Sequence, residues 1–296
     1  MIICNRFELV SKLSSGSFGS VYKGRNIRSD ELVAIKVEPL KNQTNLLIHE
    51  AQVYQYLGNT KGFAYLKWFG KDDNNYYLII NMLGTSLLDL FKFNIEIATN
   101  IVYEILIQMI EIMRTFHENG LIHRDVKPDN WLFGVGSKKK QLHLVDFGFT
   151  KRYLTNTNEH MALSSISSVI GTPNYVSLNV HNLVEPSRRD DLESVLYIAI
   201  KLYMGKLPWE INPTNMVQQK THIEQNNYIP VVFRNLIHYV RSLDFDSPPD
   251  YEKMITYVRF VAKEQDLVLT SPDDPDDDSS EEEDDYNSGD GRLGPS

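Results

Sequence analysis

The chain has 296 residues, 42% of them apolar, enough to bury one or two cores. Its formal charge of −9 is uneven: residues 271–296 hold eleven acids and one base, and the rest is close to neutral. The acidity therefore belongs to a tail, and the near-neutral body argues against a nucleic-acid partner.

In chain order, the start "MIICNRFELV" is too short in apolar residues for a signal peptide. Cys4 is the single cysteine, so no disulfide forms within the chain, and a reducing compartment is expected. "FELV", "SVYKG", "LVAIKV" and "YYLII" read as strands separated by turn-forming "SSGS", "RNIRSD" and "KDDNN". Between them, 44–57 has helical spacing at Leu47, Ala51, Tyr54 and Leu57. After "MLGTS" the pattern turns helical. Residues 101–116 carry one apolar stripe, stopped by Asn119-Gly120. Two short strands, "WLFG" and "LHLVDF", follow, then an irregular segment from about 149 to 179. Helices are predicted at 190–204, 213–225, 230–243 and 248–264. The apolar runs at 101–113 and 195–204 are interrupted by Glu104, Glu111 and Lys201 and fall short of the roughly 18 residues that span a bilayer. From about 270 the chain lacks apolar periodicity and is expected to be disordered.

This predicts an α+β, two-lobed protein: a small β-rich lobe with one main helix (1–80), a short connection (81–84), a larger, mostly helical lobe (85–269), and an acidic tail (270–296). A cleft between lobes is the default ligand site. The expectation is a soluble, intracellular monomer of cytoplasm or nucleus, with no membrane partner. The lysines at 138–140 resemble a nuclear signal, but a solvated turn explains them as well.

Residues 123–130, "HRDVKPDN", put an acid, a base and an amide at Asp125, Lys127 and Asn130. Phosphoryl transfer needs positioning and charge neutralisation more than covalent chemistry. An Asp can take a hydroxyl proton, a Lys can balance the moving charge, and an amide can hold a metal. A tight loop gathers spacings of two and five that a helix or strand would separate. The stretch resembles the protein-kinase catalytic loop, H-R-D-x-x-x-x-N, and Lys127 resembles the serine/threonine class.

That resemblance implies further assignments. Asp146 of "DFG" would coordinate Mg²⁺, although a strand end and turn produce the same tripeptide. Lys36 of "VAIK" would contact the α- and β-phosphates of ATP, and Glu50, the helical Glu before the connection, would pair with it; a surface Glu is the alternative. "LSSGSFGSVY" gives a glycine-rich loop with Ser14 in place of the first glycine, leaving Gly16, Ser17, Phe18 and Gly19 to approach the phosphates. Leu13, Val21 and Ala34 would sandwich the adenine, backbone groups of Asn81 and Leu83 would bond its edge, and Ile80 would guard the back of the pocket. The metal-holding pair would be Asn130 and Asp146.

Ser177-Leu178-Asn179 where most protein kinases have Ala-Pro-Glu, "SRRDDLES", "LPWE" and "MLGTSLLDLF" are similar to the casein kinase I family over roughly residues 6–265. This implies a serine/threonine protein kinase acting on protein substrates near acidic residues. Thr172 would bond near Asp125 and Lys127, and Asp191 would hold the catalytic-loop backbone, unless it is an ordinary acid at a helix start. Asn174 replaces an Arg that helps this family bind phosphate on primed substrates, leaving Lys220 as the candidate cation there. Lys151, Arg152, Arg188 and Arg189 either favour acidic substrates or are bonded structurally. Ser164, Ser165, Ser167 and Ser168 lie in the segment whose phosphate Arg124 binds in many kinases; activity without that phosphate is expected. In the tail, Ser279, Ser280 and Ser288 each follow an Asp by three residues, which suggests self-phosphorylation, against a plain solvating tail. The alternative functions are a pseudokinase scaffold and a small-molecule phosphotransferase.

Overall fold

The computed structural model describes residues 1–16, 19–42, 46–93 and 95–273. Short β1 (Ile2–Ile3) precedes β2 (Phe7–Gly16), β3 (Gly19–Asn26), β4 (Leu32–Pro39), α1 (Leu46–Leu57), β5 (Leu66–Lys71) and β6 (Asn75–Asn81). The six strands form one antiparallel sheet in the order β1-β2-β3-β4-β6-β5. β5 was not predicted: "LKWFGK" lacks strict alternation, and a register shift between Leu66 and Trp68 breaks its pairing.

Residues two apart on a strand share a face, as do cross-strand partners. Ala34 and Lys36 therefore stand with Val21 on β3 and with Leu78 and Ile80 on β6. The other face gathers Phe7, Val33, Ile35, Tyr77 and Ile79 into a small apolar cluster of its own. α1 buries Leu47, Glu50, Ala51, Val53, Tyr54 and Leu57. Glu50 thus lies within an apolar stripe, where a carboxylate needs a partner.

The second lobe contains α2 (Leu87–Lys92), α3 (Thr99–Glu118), β7 (Leu121–Ile122), β8 (Trp131–Phe133), β9 (Leu142–Leu144), β10 (Lys151–Arg152), α4 (Leu178–His181), α5 (Arg188–Met204), α6 (Pro208–Ile211), α7 (Met216–Thr221), α8 (Val231–Ser242) and α9 (Tyr251–Glu264). α2 starts on a capping box, Ser86 with Asp89. α5 is buried continuously from Asp190 to Ile200, which explains why its sequence is an apolar run rather than a one-sided stripe. With α3 and α9 it builds the main core. The architecture is the expected α+β, with a curled sheet before a helical lobe.

The connection is clamped to the second lobe: Gly84 N–H donates to Phe133 O at 2.8 Å, and Phe133 N–H to Thr85 O at 2.9 Å. At the far end, Thr270 N–H donates to Glu104 Oε1 at 2.7 Å. Asp273 accepts from Lys61 at 2.6 Å and from Gln141 at 2.9 Å. Ser279, Ser280 and Ser288 lie outside the described residues. No helix among the described residues is long and apolar enough to cross a membrane.

Candidate active site

Asp125 is the hub. It is 5% exposed, Oδ1 accepts from Thr172 Oγ1 at 2.7 Å, and Oδ2 accepts from Lys127 Nζ at 2.7 Å. Asn130 Nδ2 donates to Asp125 O at 3.0 Å, so the amide oxygen is the atom that would meet a metal. Burial alone would lower the Lys127 ammonium, but Asp125, then Asp146, raise it above the usual lysine range.

Asp191, buried at the start of α5, holds this loop from beneath. Its Oδ2 accepts from His123 N–H at 2.7 Å, and its Oδ1 from Arg124 N–H at 2.9 Å. His117 Nε2 lies 3.1 Å from the same carboxylate. Burial works against the Asp191 charge, yet His117 and these donors keep its pKa below the ordinary value. His123 Nδ1 accepts from Asp125 N–H at 3.3 Å, so Nε2 carries the proton and donates to Val145 O at 3.2 Å. Arg124 and Asp146 have φ of 68° and 65°. Such left-handed backbone costs about 1–3 kcal/mol per residue and persists only where the surroundings hold it.

The second cluster joins the lobes. Lys36 Nζ sits 2.7 Å from Glu50 Oε2 and 2.7 Å from Asp146 Oδ1. Burial works against this ammonium, but the two carboxylates raise it well above the usual lysine range. Burial also pushes the Glu50 carboxyl up to about 7, while Lys36 holds Asp146 below its ordinary value against the same burial. Phe147 fixes Asp146 in place: it is fully buried, with ring centroids 4.6 Å from Tyr54 and 5.4 Å from Phe116. Asp146 N–H donates to the Tyr54 hydroxyl at 3.4 Å. Asp146 and Asn130 supply an ionised carboxylate and an amide oxygen, the hard donors that suit Mg²⁺. Among the described residues no group of three His, Cys, Asp or Glu is placed to hold a metal, so phosphate and water oxygens would complete its shell.

The nucleotide-side residues occupy the sheet as follows. Val21, Ala34 and Ile80 share the face of Lys36. Leu13 lies at a register shift of β2 and is 49% exposed. Gly16 and Gly19 pair across the hairpin, and a Cβ on Gly19 would come within 2.3 Å of Val37 O. Ser17 and Phe18 are outside the described residues. The Asn81 side chain turns from the cleft face and accepts from Tyr65 N–H at 2.8 Å; Leu83 is buried. None of these shares a hydrogen bond with the Asp125 cluster among the described residues.

The segment after Asp146 closes onto the catalytic loop. Gly171 has φ of 100°, and a Cβ there would sit 2.5 Å from Arg124 O, so glycine is required for this approach. Ser177 Oγ and Asn179 Nδ2 donate to Asp190 Oδ1 at 2.6 and 3.0 Å, and Leu178 N–H to Glu193 Oε1 at 3.2 Å. The Ser-Leu-Asn tripeptide and the "RRDDLES" run are thus two halves of one hydrogen-bonded joint.

Several basic residues are placed differently from expectation. Lys220 is fully buried and donates to Pro173 O and Val176 O at 2.8 and 2.7 Å, so it offers no ammonium to a substrate phosphate. Arg188 donates to Asp246 O at 2.5 Å and lies over the Tyr153 ring; Arg189 donates to Leu243 O. Of the two readings left open for Arg188 and Arg189, these bonds support the structural one. Lys151 pairs with buried Glu185 at 3.0 Å, and an Arg124 guanidinium nitrogen lies 3.6 Å from the same oxygen. Glu185, Tyr54, His117 and the inward turn of Lys220 were not expected. Their partners lie tens of residues away in the chain.

The family model for the protein kinase domain matches residues 7–263, and the chain belongs to that family.

Proposed function

We propose that the chain is a serine/threonine protein kinase similar to casein kinase I, which moves the γ-phosphoryl of Mg-ATP to a Ser or Thr hydroxyl of a protein. The carrying observation is the convergence on Asp125 of Lys127, Thr172 and Asn130, with Lys127 close enough to Asp146 to share its field. Asp125 orients the acceptor hydroxyl and takes its proton as that oxygen bonds to the γ-phosphorus. The bond from phosphorus to the β–γ bridging oxygen breaks, and ADP leaves with the electron pair. Lys127 balances charge on the moving phosphoryl, and Lys36, aligned by Glu50, holds the α- and β-phosphates. Mg²⁺ held by Asp146 and Asn130 would neutralise phosphate charge.

Activity without an upstream kinase is supported by Glu185. Its carboxylate lies between Arg124 and Lys151, where a segment phosphate would otherwise be needed. Phospho-primed substrates should gain nothing, since Asn174 is uncharged and Lys220 faces inward. Preference for acidic substrates then rests on the family likeness and on exposed Arg152. Transfer from labelled ATP to casein and to an acidic peptide, with Asp125→Asn as control, tests the reading. No transfer by the wild-type protein, or equal transfer by the variant, overturns it. A peptide series with and without an upstream phosphate should show equal rates.

A further inference from the structure

Lys220 is the buried residue of α7. Among the described residues, no carboxylate lies within ion-pair distance of its ammonium. Its three N–H donors meet Pro173 O at 2.8 Å, Val176 O at 2.7 Å and His181 Nε2 at 3.1 Å. The ammonium lies 4.9 and 5.0 Å from the ring centroids of Tyr197 and Trp209. The Trp209 indole N–H donates to Asn174 O at 3.0 Å. Three carbonyls of one turn are therefore held by side chains of α6 and α7.

The turn itself adjoins the chemistry. Thr172, immediately upstream, donates to Asp125, and the N–H groups of Tyr175 and Val176 both return to Thr172 O, at 2.8 and 3.0 Å. Pro173 is exposed and Asn174 half-exposed, while the inner side is bonded to Lys220 and Trp209. A buried carbonyl deprived of its donor can recover only by turning toward water, and here that would displace the turn beside Asp125.

We propose that Lys220, seconded by Trp209, is a positioning residue that pins the 173–176 turn as a preset floor for the acceptor peptide. The proposal rests on the protein-kinase reading above. It also reverses the role expected for this lysine: the cation is used on the protein's own backbone, not on a phosphate of the substrate.

Lys220→Met keeps the stem and removes the donors. Kinetics on an acidic acceptor peptide at saturating ATP, with Mg-ATP binding measured by calorimetry, give the readout. The expected result is a peptide KM raised about tenfold or more, kcat within about threefold, and Mg-ATP affinity within about twofold of wild type, the pattern of lost substrate binding rather than lost chemistry. An unchanged peptide KM in the folded variant overturns the inference. So does a fall in Mg-ATP affinity equal to the change in KM, which marks general loosening. If Lys220→Met does not fold, Trp209→Phe, which loses the N–H to Asn174 O, is judged by the same constants. Wild-type protein that binds Mg-ATP yet phosphorylates no peptide overturns the kinase reading itself, before any variant is made.

Discussion

Two ammoniums, half-buried Lys36 and fully buried Lys220, are held in opposite ways. Lys36 lies between the carboxylates of Glu50 and Asp146 and is held protonated. Lys220 lies among carbonyls, an imidazole and two rings, and burial lowers it to about 7. The first is kept as a charge, ready for phosphates. The second is used for the number and direction of its N–H bonds. Under the proposed function the difference is physical: a nucleotide site would have to attract an anion, whereas a peptide floor would only have to keep its shape.

The largest expected effect breaks the first arrangement. Lys36→Met removes a preorganised cation and should lower kcat by about 10²–10³-fold, as loss of one transition-state donor does elsewhere. It also leaves Glu50 and Asp146 without their shared partner. Mg-ATP affinity should fall with it, in contrast to the unchanged affinity expected for Lys220→Met. Binding and single-turnover assays on both proteins separate the two roles.

Next is the support beneath the loop. Asp191→Asn keeps the shape but turns one of two accepting oxygens into a donor facing backbone N–H groups. A buried donor left unpaired costs about 1–3 kcal/mol, so the melting temperature should fall and transfer should weaken together. In wild type the lowered pKa of Asp191 makes its contribution fully present above the ordinary carboxylate range, and lost as pH falls through the folded value. The stability advantage of wild type over Asp191→Asn should therefore be largest above the ordinary carboxylate range and narrow as pH falls toward the folded value; an advantage that stays constant across that range would contradict the role of this carboxylate.

The parts of the site that could be read in advance are local in sequence. Asp125, Lys127 and Asn130 occupy one loop, Lys36 lies within one recognisable strand pattern and Asp146 follows another. The main helices followed from their stripes. What could not be read was partnership over distance. Arg188, Arg189 and Lys220 look like surface cations in isolation, because nothing in their neighbours reveals that backbone carbonyls of Asp246, Leu243 and Pro173 fold back onto them. Glu185 likewise gains its meaning only when Arg124 and Lys151 arrive from elsewhere. β5 escaped because its ladder is irregular and its residues are half-buried on both faces.

A smaller effect tests that carboxylate. Glu185→Gln keeps the volume and removes the charge between Arg124 and Lys151, so basal transfer should drop several-fold, on the order of 1 kcal/mol. Unchanged transfer would mean that the segment is ordered by its other bonds, such as Arg124 Nε to Phe149 O at 2.7 Å.

The smallest effect sharpens the contrast between the lysines through pH. Burial lowers the folded pKa of Lys220 to about 7, whereas an unfolded lysine titrates near about 10.4. Between these values the unfolded chain binds more protons, so this group makes stability rise with pH. The groups facing it are His181 on α4, lowered to about 4, Glu193 and Tyr197 on α5, and Arg241 on α8. His181 and Tyr197 keep their state in that window, because His181 is lowered to about 4 and burial raises Tyr197 well above its ordinary range, while Arg241 pairs with Glu193 at 2.8 Å. Melting temperatures from pH 7 to 9 should rise in wild type relative to Lys220→Met, while peptide KM in wild type stays nearly level. The neutral amine still has two N–H donors for Pro173 O and Val176 O, and His181 can turn donor toward its lone pair. A peptide KM that climbs steeply across this range would show that the turn needs the charge of Lys220, and the distinction between the two ammoniums would fail.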